Sequence, residues 1–174
     1  MIIALFSGII LNISAFSQAS QPTVQASGMT ITSRTQNTMS LSWNRGNGMY
    51  CIVVVKAQAN PYSYPVDGYG MYYNDNTVWG SGDNLGNSNY VVYNGTGTSV
   101  TVTGLYASYY YTAVAYEYNW DYVPWPTDDD HYNYRTTVGS NATSGYTLCS
   151  EPSTNVTINS VTSISYTSAT LNLT

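Results

Sequence analysis

Charge is the scarcest property of this chain. Its 174 residues include 4 Lys+Arg and 9 Asp+Glu, so charged residues make up 7%. Ordinary soluble domains carry roughly 25%. Four cations and a net charge of -5 cannot neutralise a run of phosphates, which excludes nucleic acid as a partner. There is one histidine, His131, so no multi-histidine metal centre is available. A hydrolytic triad would have to be built on that residue alone, and no serine lies in a Gly-x-Ser-x-Gly elbow. Glycoside hydrolysis would need two carboxylates from Glu117, Glu151 and a few Asp, with nothing to single out a pair. The chain therefore reads as non-enzymatic, with no cofactor. Two cysteines, Cys51 and Cys149, are too few for a disulfide scaffold. They leave open one intrachain bridge, two buried thiols or an intermolecular bond. Phe is nearly absent, at 2 residues against 19 Tyr. With so little charge, Ser, Thr, Asn and Tyr hydroxyls must wet the surface.

No helical period survives inspection, whereas strand signals are dense. Met39, Leu41 and Trp43 alternate with Ser40 and Ser42, the period of a half-buried strand. Cys51–Lys56 is a continuous β-branched run, expected for a central strand covered on both faces. Asn89–Tyr93, the turn Asn94-Gly95 and Ser99–Thr103 form a hairpin pattern. Tyr109–Tyr118 is the longest predicted strand, and a last one falls within Thr136–Leu148. Residues 58–88 read as a long loop with one or two short edge strands, and 119–131 as a second loop. About seven strands with regular turns predict an all-β, antiparallel β-sandwich, with extra strand-forming segments at both termini.

A short pattern is written twice. Ser20-Gln21-Pro22-Thr23 returns as Ser150-Glu151-Pro152-Ser153, and Thr38–Trp43 returns as Ser168–Leu173, both 130 positions later. Such spacing divides the chain into an apolar segment (1–19), one full module (20–149) and the opening strands of a second (150–174). In the first segment, Met1–Leu11 precedes Ser17-Gln18-Ala19, a pattern similar to a secretory signal cleaved after Ala19, although no Lys or Arg precedes it. Asn12 and Ser14 interrupt the run, which makes it too mixed for a stable membrane span. The expected location is therefore secreted, extracellular or at the cell surface.

Leu105-Tyr106-Ala107-Ser108-Tyr109-Tyr110-Tyr111 looks like the tyrosine-corner segment of a fibronectin type III domain. The segments Trp43–Gly48, Asn89–Gly97, Val100–Leu105 and Ala115–Asn119 resemble the fibronectin type III-like repeats of secreted Bacteroidetes surface proteins. The resemblance covers 20–149 and restarts at 150. It implies a sandwich with Trp43, Leu105 and Tyr111 in its core, and a role as spacer, adhesin or assembly unit.

Several clusters remain as candidate sites. Asp128-Asp129-Asp130-His131 is the one acidic cluster, but it lacks the alternating Asp and the Gly of an EF-hand, so no metal site is expected. Four matches to the glycosylation sequon, at Asn94, Asn141, Asn155 and Asn172, are frequent by chance in a Thr/Asn-rich chain. Trp79, Trp120, Tyr122 and Trp125 fall in the predicted loops, along with Tyr62, Tyr64, Tyr72 and Tyr73. Such rings serve as subunit anchors, as a glycan platform, or as a lid on the sandwich. In 150–174, Val156, Ile158, Val161, Ile164, Tyr166, Leu171 and Leu173 supply apolar strand residues, and a two-stranded piece is marginal alone. The leading expectation is a structural subunit that polymerises head-to-tail with copies of itself by terminal strand addition. The added strand is Val156–Leu173 or a retained Ile2–Phe16. The alternative is a glycan-binding or adhesive module cut from a larger secreted protein, with cell-surface glycans as partners.

Overall fold

The computed structural model describes residues 19–58, 62–123, 129–150, 158–162 and 170–173. These residues build eleven strands: β1 (Ser27–Arg34), β2 (Met39–Asn44), β3 (Tyr50–Ala57), β4 (Gly68–Tyr69), β5 (Asn89–Gly95), β6 (Ser99–Val102), β7 (Tyr110–Val123), β8 (Asp129–Tyr134), β9 (Ala142–Tyr146), β10 (Ile158–Thr162) and β11 (Thr170–Leu173). One sheet runs β1-β2-β6. A larger one runs β4-β8-β7-β3-β5, with β9 also paired to β7. Every strand pair is antiparallel. The chain is an all-β sandwich, as its turn spacing predicts.

Alternation decides what lies between the sheets. Met39, Leu41 and Trp43 from β2 meet Cys51, Val53 and Val55 from β3, together with Tyr111, Ala113 and Ala115 from β7. The intervening residues Ile52, Val54, Val114, Tyr116 and Tyr118 point to the opposite face. There they form a second apolar cluster with Tyr132 and Tyr134, against which the loop residues Tyr73 and Leu85 pack. The β3 strand is thus buried on both faces, which explains its unbroken apolar run.

Two strands exceed the sequence reading. Residues 119–123, expected as loop, continue β7 to a length of 14 residues, and 129–134 form β8. The two pair in register from Tyr118↔Tyr134 to Val123↔Asp129. Asn and Asp are depleted in strands, but here the ladder to β8 offsets the poor propensity. β8 and β9 occupy the same edge of β7 end to end, since β3 pairs along the other. Between them the edge is bridged by side-chain amides. Glu117 N donates to Gln25 Oε1 at 2.9 Å, and Asn141 Nδ2 donates to Ala115 O at 2.7 Å.

Parts of the sandwich edges are covered. Asn76 N donates to Val91 O, and Val91 N donates to Asp83 O at 2.9 Å, so residues 76–85 lie along β5. The same loop reaches the other sheet through Thr103 N to Thr77 O and Trp79 N to Thr103 O. At the opposite side, Met29 N donates to Ser140 O and Leu148 N to Thr35 O. Exposed strand edges are templates for unwanted pairing, and this module shields the β5 edge and part of the β1 edge.

β10 and β11 pair with each other as a two-stranded sheet. Their pairs Ser160↔Asn172 and Val161↔Leu171 fall 130 positions after Thr30↔Ser42 and Ile31↔Leu41. The repeat read from the sequence is therefore also a repeat of strand register.

Candidate functional site

Two features stand out: the repeated hairpin, and an aromatic cleft on the outer face of the large sheet. The cleft follows from the strand register. Tyr50 and Tyr118 are cross-strand partners, with centroids 5.7 Å apart and planes at 23°. Trp120 and Tyr132 are the next such pair, at 6.4 Å and 23°. Tyr118 lies 6.0 Å from Tyr132 and joins the two pairs into one row. Tyr72, from the loop before β5, packs on Tyr132 at 6.0 Å and forms a wall. The row lines a cleft of about 240 Å³, and none of the lining residues is charged.

Polar groups at its rim are oriented by hydrogen bonds. Tyr118 Oη donates to Asn94 Oδ1 at 2.8 Å, and Asn94 Nδ2 donates to Tyr73 O at 2.8 Å. Burial pushes the Tyr118 hydroxyl well above the usual tyrosine range, so it remains a neutral donor across physiological pH. The site can offer ring faces and neutral hydrogen-bonding groups; it has no nucleophile paired with a base.

The structure separates the four aromatic residues singled out from the sequence. Trp120 lines the cleft, on strand β7 rather than on a loop. Tyr122 is also on β7 and is 54% exposed. Trp79 is not a surface platform. Its Nε1 donates to Val55 O at 3.0 Å, and its ring meets Tyr90, Tyr106 and Tyr111 edge-on. The hydrogen bond and the three edge contacts pin it between the sheets. Trp125 lies outside the described residues. Tyr50, Tyr118 and Tyr132 went unread as site residues, although the alternation Tyr116, Tyr118, Trp120, Tyr122 carried the signal.

Trp43, Leu105 and Tyr111 are all buried in the core. The Tyr111 hydroxyl accepts from Tyr106 N at 2.9 Å, which is the bond a tyrosine corner makes. Cys51 and Cys149 do not form the intrachain bridge; both are free thiols. Cys51 points into the core from β3 while Cys149 is exposed beyond β9. Burial pushes the Cys51 thiol up to about 12, which leaves it protonated and inert at neutral pH.

The acidic stretch is no loop site, because Asp129, Asp130 and His131 belong to β8, and Asp128 lies outside the described residues. Among the described residues no group of three or more His, Cys, Asp or Glu could hold a metal. Asn141 is buried, its amide bonded to Ala115 O, Thr137 O and Gly139 N, so its sequon is closed to a glycan in the folded state. Of the assembly-strand residues, Ile158, Val161, Leu171 and Leu173 lie on β10 and β11. Val156, Ile164 and Tyr166 fall outside the described residues, as do the apolar segment 1–18 and the sequon at Asn155. Among the described residues no helix is long and apolar enough to cross a membrane.

No protein-family model and no curated protein matches the chain. Solved structures similar to it include two β-sandwiches. One is a computationally redesigned β-sandwich protein, 14% identical, covering 75% of this chain and 96% of its own, at a TM-score of 0.45. The other is the fibronectin type III domain of human fibronectin type III domain containing protein 3, 16% identical, covering 80% of this chain and 99% of its own, at 0.44.

Proposed function

We propose that this chain is an exported, non-catalytic structural subunit that assembles outside the cell with copies of itself, joined through the segment after residue 149. The observation that carries the reading is the repeated register of β10–β11. In the module, β2 is completed by β6 on its free edge and by a second sheet over Met39, Leu41 and Trp43. The positions 130 later are Ala169, Leu171 and Leu173. The hairpin that carries Leu171 and Leu173 on β11 needs the same completion, and two strands alone are marginal in water. A neighbouring copy that supplies it makes a head-to-tail contact, and such contacts grow filaments when they do not close.

Two further properties support the reading. The cover on the β5 edge disfavours strand addition there, which favours pairing at the hairpin. The low charge removes much of the repulsion that keeps proteins apart, and exposed rings such as Tyr122 add contact area.

Sedimentation and negative-stain electron microscopy of the whole chain test this proposal. They should be compared with a chain ending at residue 149 and with Leu171→Asp. Regular filaments that lengthen with concentration are expected from the whole chain, and monomers from both variants. A whole chain that stays monomeric, or a shortened chain that still assembles, would overturn it.

A further inference from the structure

We propose that the cleft formed by Tyr50, Tyr72, Asn94, Tyr118, Trp120 and Tyr132 binds one neutral pyranose unit of a glycan. This site is separate from the hairpin joint and does not depend on assembly.

The chemistry of the lining selects the ligand. No charged residue lines the cleft, which disfavours phosphates, nucleotides and acidic or basic peptides. Its lining includes two near-parallel ring pairs, Tyr50–Tyr118 and Trp120–Tyr132, whose adjoining rings Tyr118 and Tyr132 are buried and tilted at 50°, so the rings open to a ligand are Tyr50, Trp120 and Tyr72. Flat ring faces take up the apolar C–H face of a sugar. The equatorial hydroxyls of that sugar then point to the rim, where the Tyr50 and Tyr72 phenols and the Asn94 amide can pair them. One Asn94 N–H goes to Tyr73 O and its carbonyl oxygen accepts from Tyr118. No described residue takes the other N–H. An amide held by two such bonds donates with little loss of rotamer freedom.

Size narrows the choice further. Clefts that enclose drug-sized ligands span roughly 300–1,000 Å³, whereas this one holds about 240 Å³. That suits one ring of a chain with the rest in solvent. A polyproline helix, the other common guest of aromatic grooves, rises about 3.1 Å per residue and needs a longer track. The rings are also not all required by the fold. Tyr72 is exposed, while Tyr50 and Trp120 are half-buried. The second hollow of the surface, lined by Gln58, Ser108, Tyr110 and Tyr146, presents only one ring pair, tilted at 60°. It lacks the near-parallel stacked pairs and the Asn94 amide of the first cleft and serves as a control.

The test is migration through native gels cast with hydroxyethylcellulose, galactomannan or starch, with tryptophan fluorescence titrated by cellobiose, lactose and maltose. The whole chain is expected to be retarded by at least one polysaccharide and to show saturable fluorescence change with the matching disaccharide. Trp120→Ala and Tyr72→Ala are expected to weaken binding at least tenfold, and Tyr146→Ala to leave it unchanged. Tyr72 stands on an exposed loop, so its variant reports on the site even if Trp120→Ala fails to fold. The proposal is overturned if no polysaccharide retards the chain and no disaccharide shifts its fluorescence. Full retention of binding by Tyr72→Ala would overturn it too, as would saturable binding of a decaproline peptide in place of every sugar.

Discussion

Arg45 and Glu117 form a two-pronged ion pair in which the carboxylate is wholly enclosed. Nε meets Oε1 at 2.7 Å and Nη2 meets Oε2 at 2.8 Å, with Glu117 0% exposed. The same carboxylate accepts from Gly46 N at 2.8 Å and Gly48 N at 3.1 Å, so it ties the turn between β2 and β3 to β7. A side chain at Gly48 would place its Cβ 2.7 Å from Oε2, which is why the turn carries glycine there. Removing one partner of a buried pair costs about 3–5 kcal/mol, because the other charge stays buried. Arg45 keeps 16% of its side chain exposed and can rehydrate; Glu117 cannot. Arg45→Met is therefore expected to destabilise the module more than Glu117→Gln in urea unfolding. The double variant should lose less than the sum. Equal single effects that simply add would show that the two groups are not coupled.

Tyr111 is a smaller test of the same logic. Its ring is fully buried and its hydroxyl accepts from Tyr106 N at 2.9 Å. Tyr111→Phe keeps the ring and removes the acceptor, at an expected cost of about 1–2 kcal/mol. Tyr146→Phe, at an exposed position, is expected to change stability by less than about 0.5 kcal/mol. Urea midpoints at unchanged slope would check both.

What could be read in advance divides along local and non-local causes. β2, β3, β5 and β6 were legible because alternation, β-branching and the Asn94-Gly95 turn act within a few residues. The tyrosine corner was legible as a resemblance, because its spacing is local too. β8 and the far half of β7 were not, since Asn119, Asp121, Asp129 and Asp130 carry turn chemistry and become strand only through each other. Trp79 was misplaced because its surroundings are polar and its destination, the Val55 carbonyl, is 24 positions away. The cleft was half legible. Trp120 was named, but Tyr50 and Tyr132 join it only once β3, β7 and β8 are set side by side.

The second core makes the module sensitive to alkali. Burial holds the hydroxyls of Tyr116, Tyr118 and Tyr134 protonated well above the usual tyrosine value of 10.0. The folded state therefore binds these protons more tightly than the unfolded chain. Their contribution is fully present below about pH 10 and is lost as pH rises beyond it. Each ring contributes at most about 1.4 kcal/mol per pH unit, or about 4 for the three. Cys51, pushed up to about 12 from 9.0, adds a loss of the same sign beginning near pH 9. Urea midpoints are expected to be flat from about pH 7 to 9 and to fall steeply above 10. The tyrosinate absorbance of the buried rings should appear together with unfolding. Full ionisation of every tyrosine while the fold persists would contradict this arrangement.

Gly82 holds the cover on β5 in place. A Cβ there would stand 2.0 Å from Val91 O, and that oxygen accepts from Asn76 N while Val91 N donates to Asp83 O. Any side chain must push the 76–85 loop off the strand. Gly82→Ala is therefore expected to open this edge without melting β3, which is held from both sides by β5 and β7. In hydrogen exchange, the Val91 and Leu85 amides should lose protection by at least tenfold, about 1.4 kcal/mol of local opening. The Val53 and Val55 amides should keep theirs. An uncovered edge is also a template for foreign strands. Gly82→Ala is thus expected to add irregular aggregation that survives truncation at residue 149, distinct from filament growth through the hairpin. Unchanged protection at Val91 would mean that the loop is held by something other than this close approach.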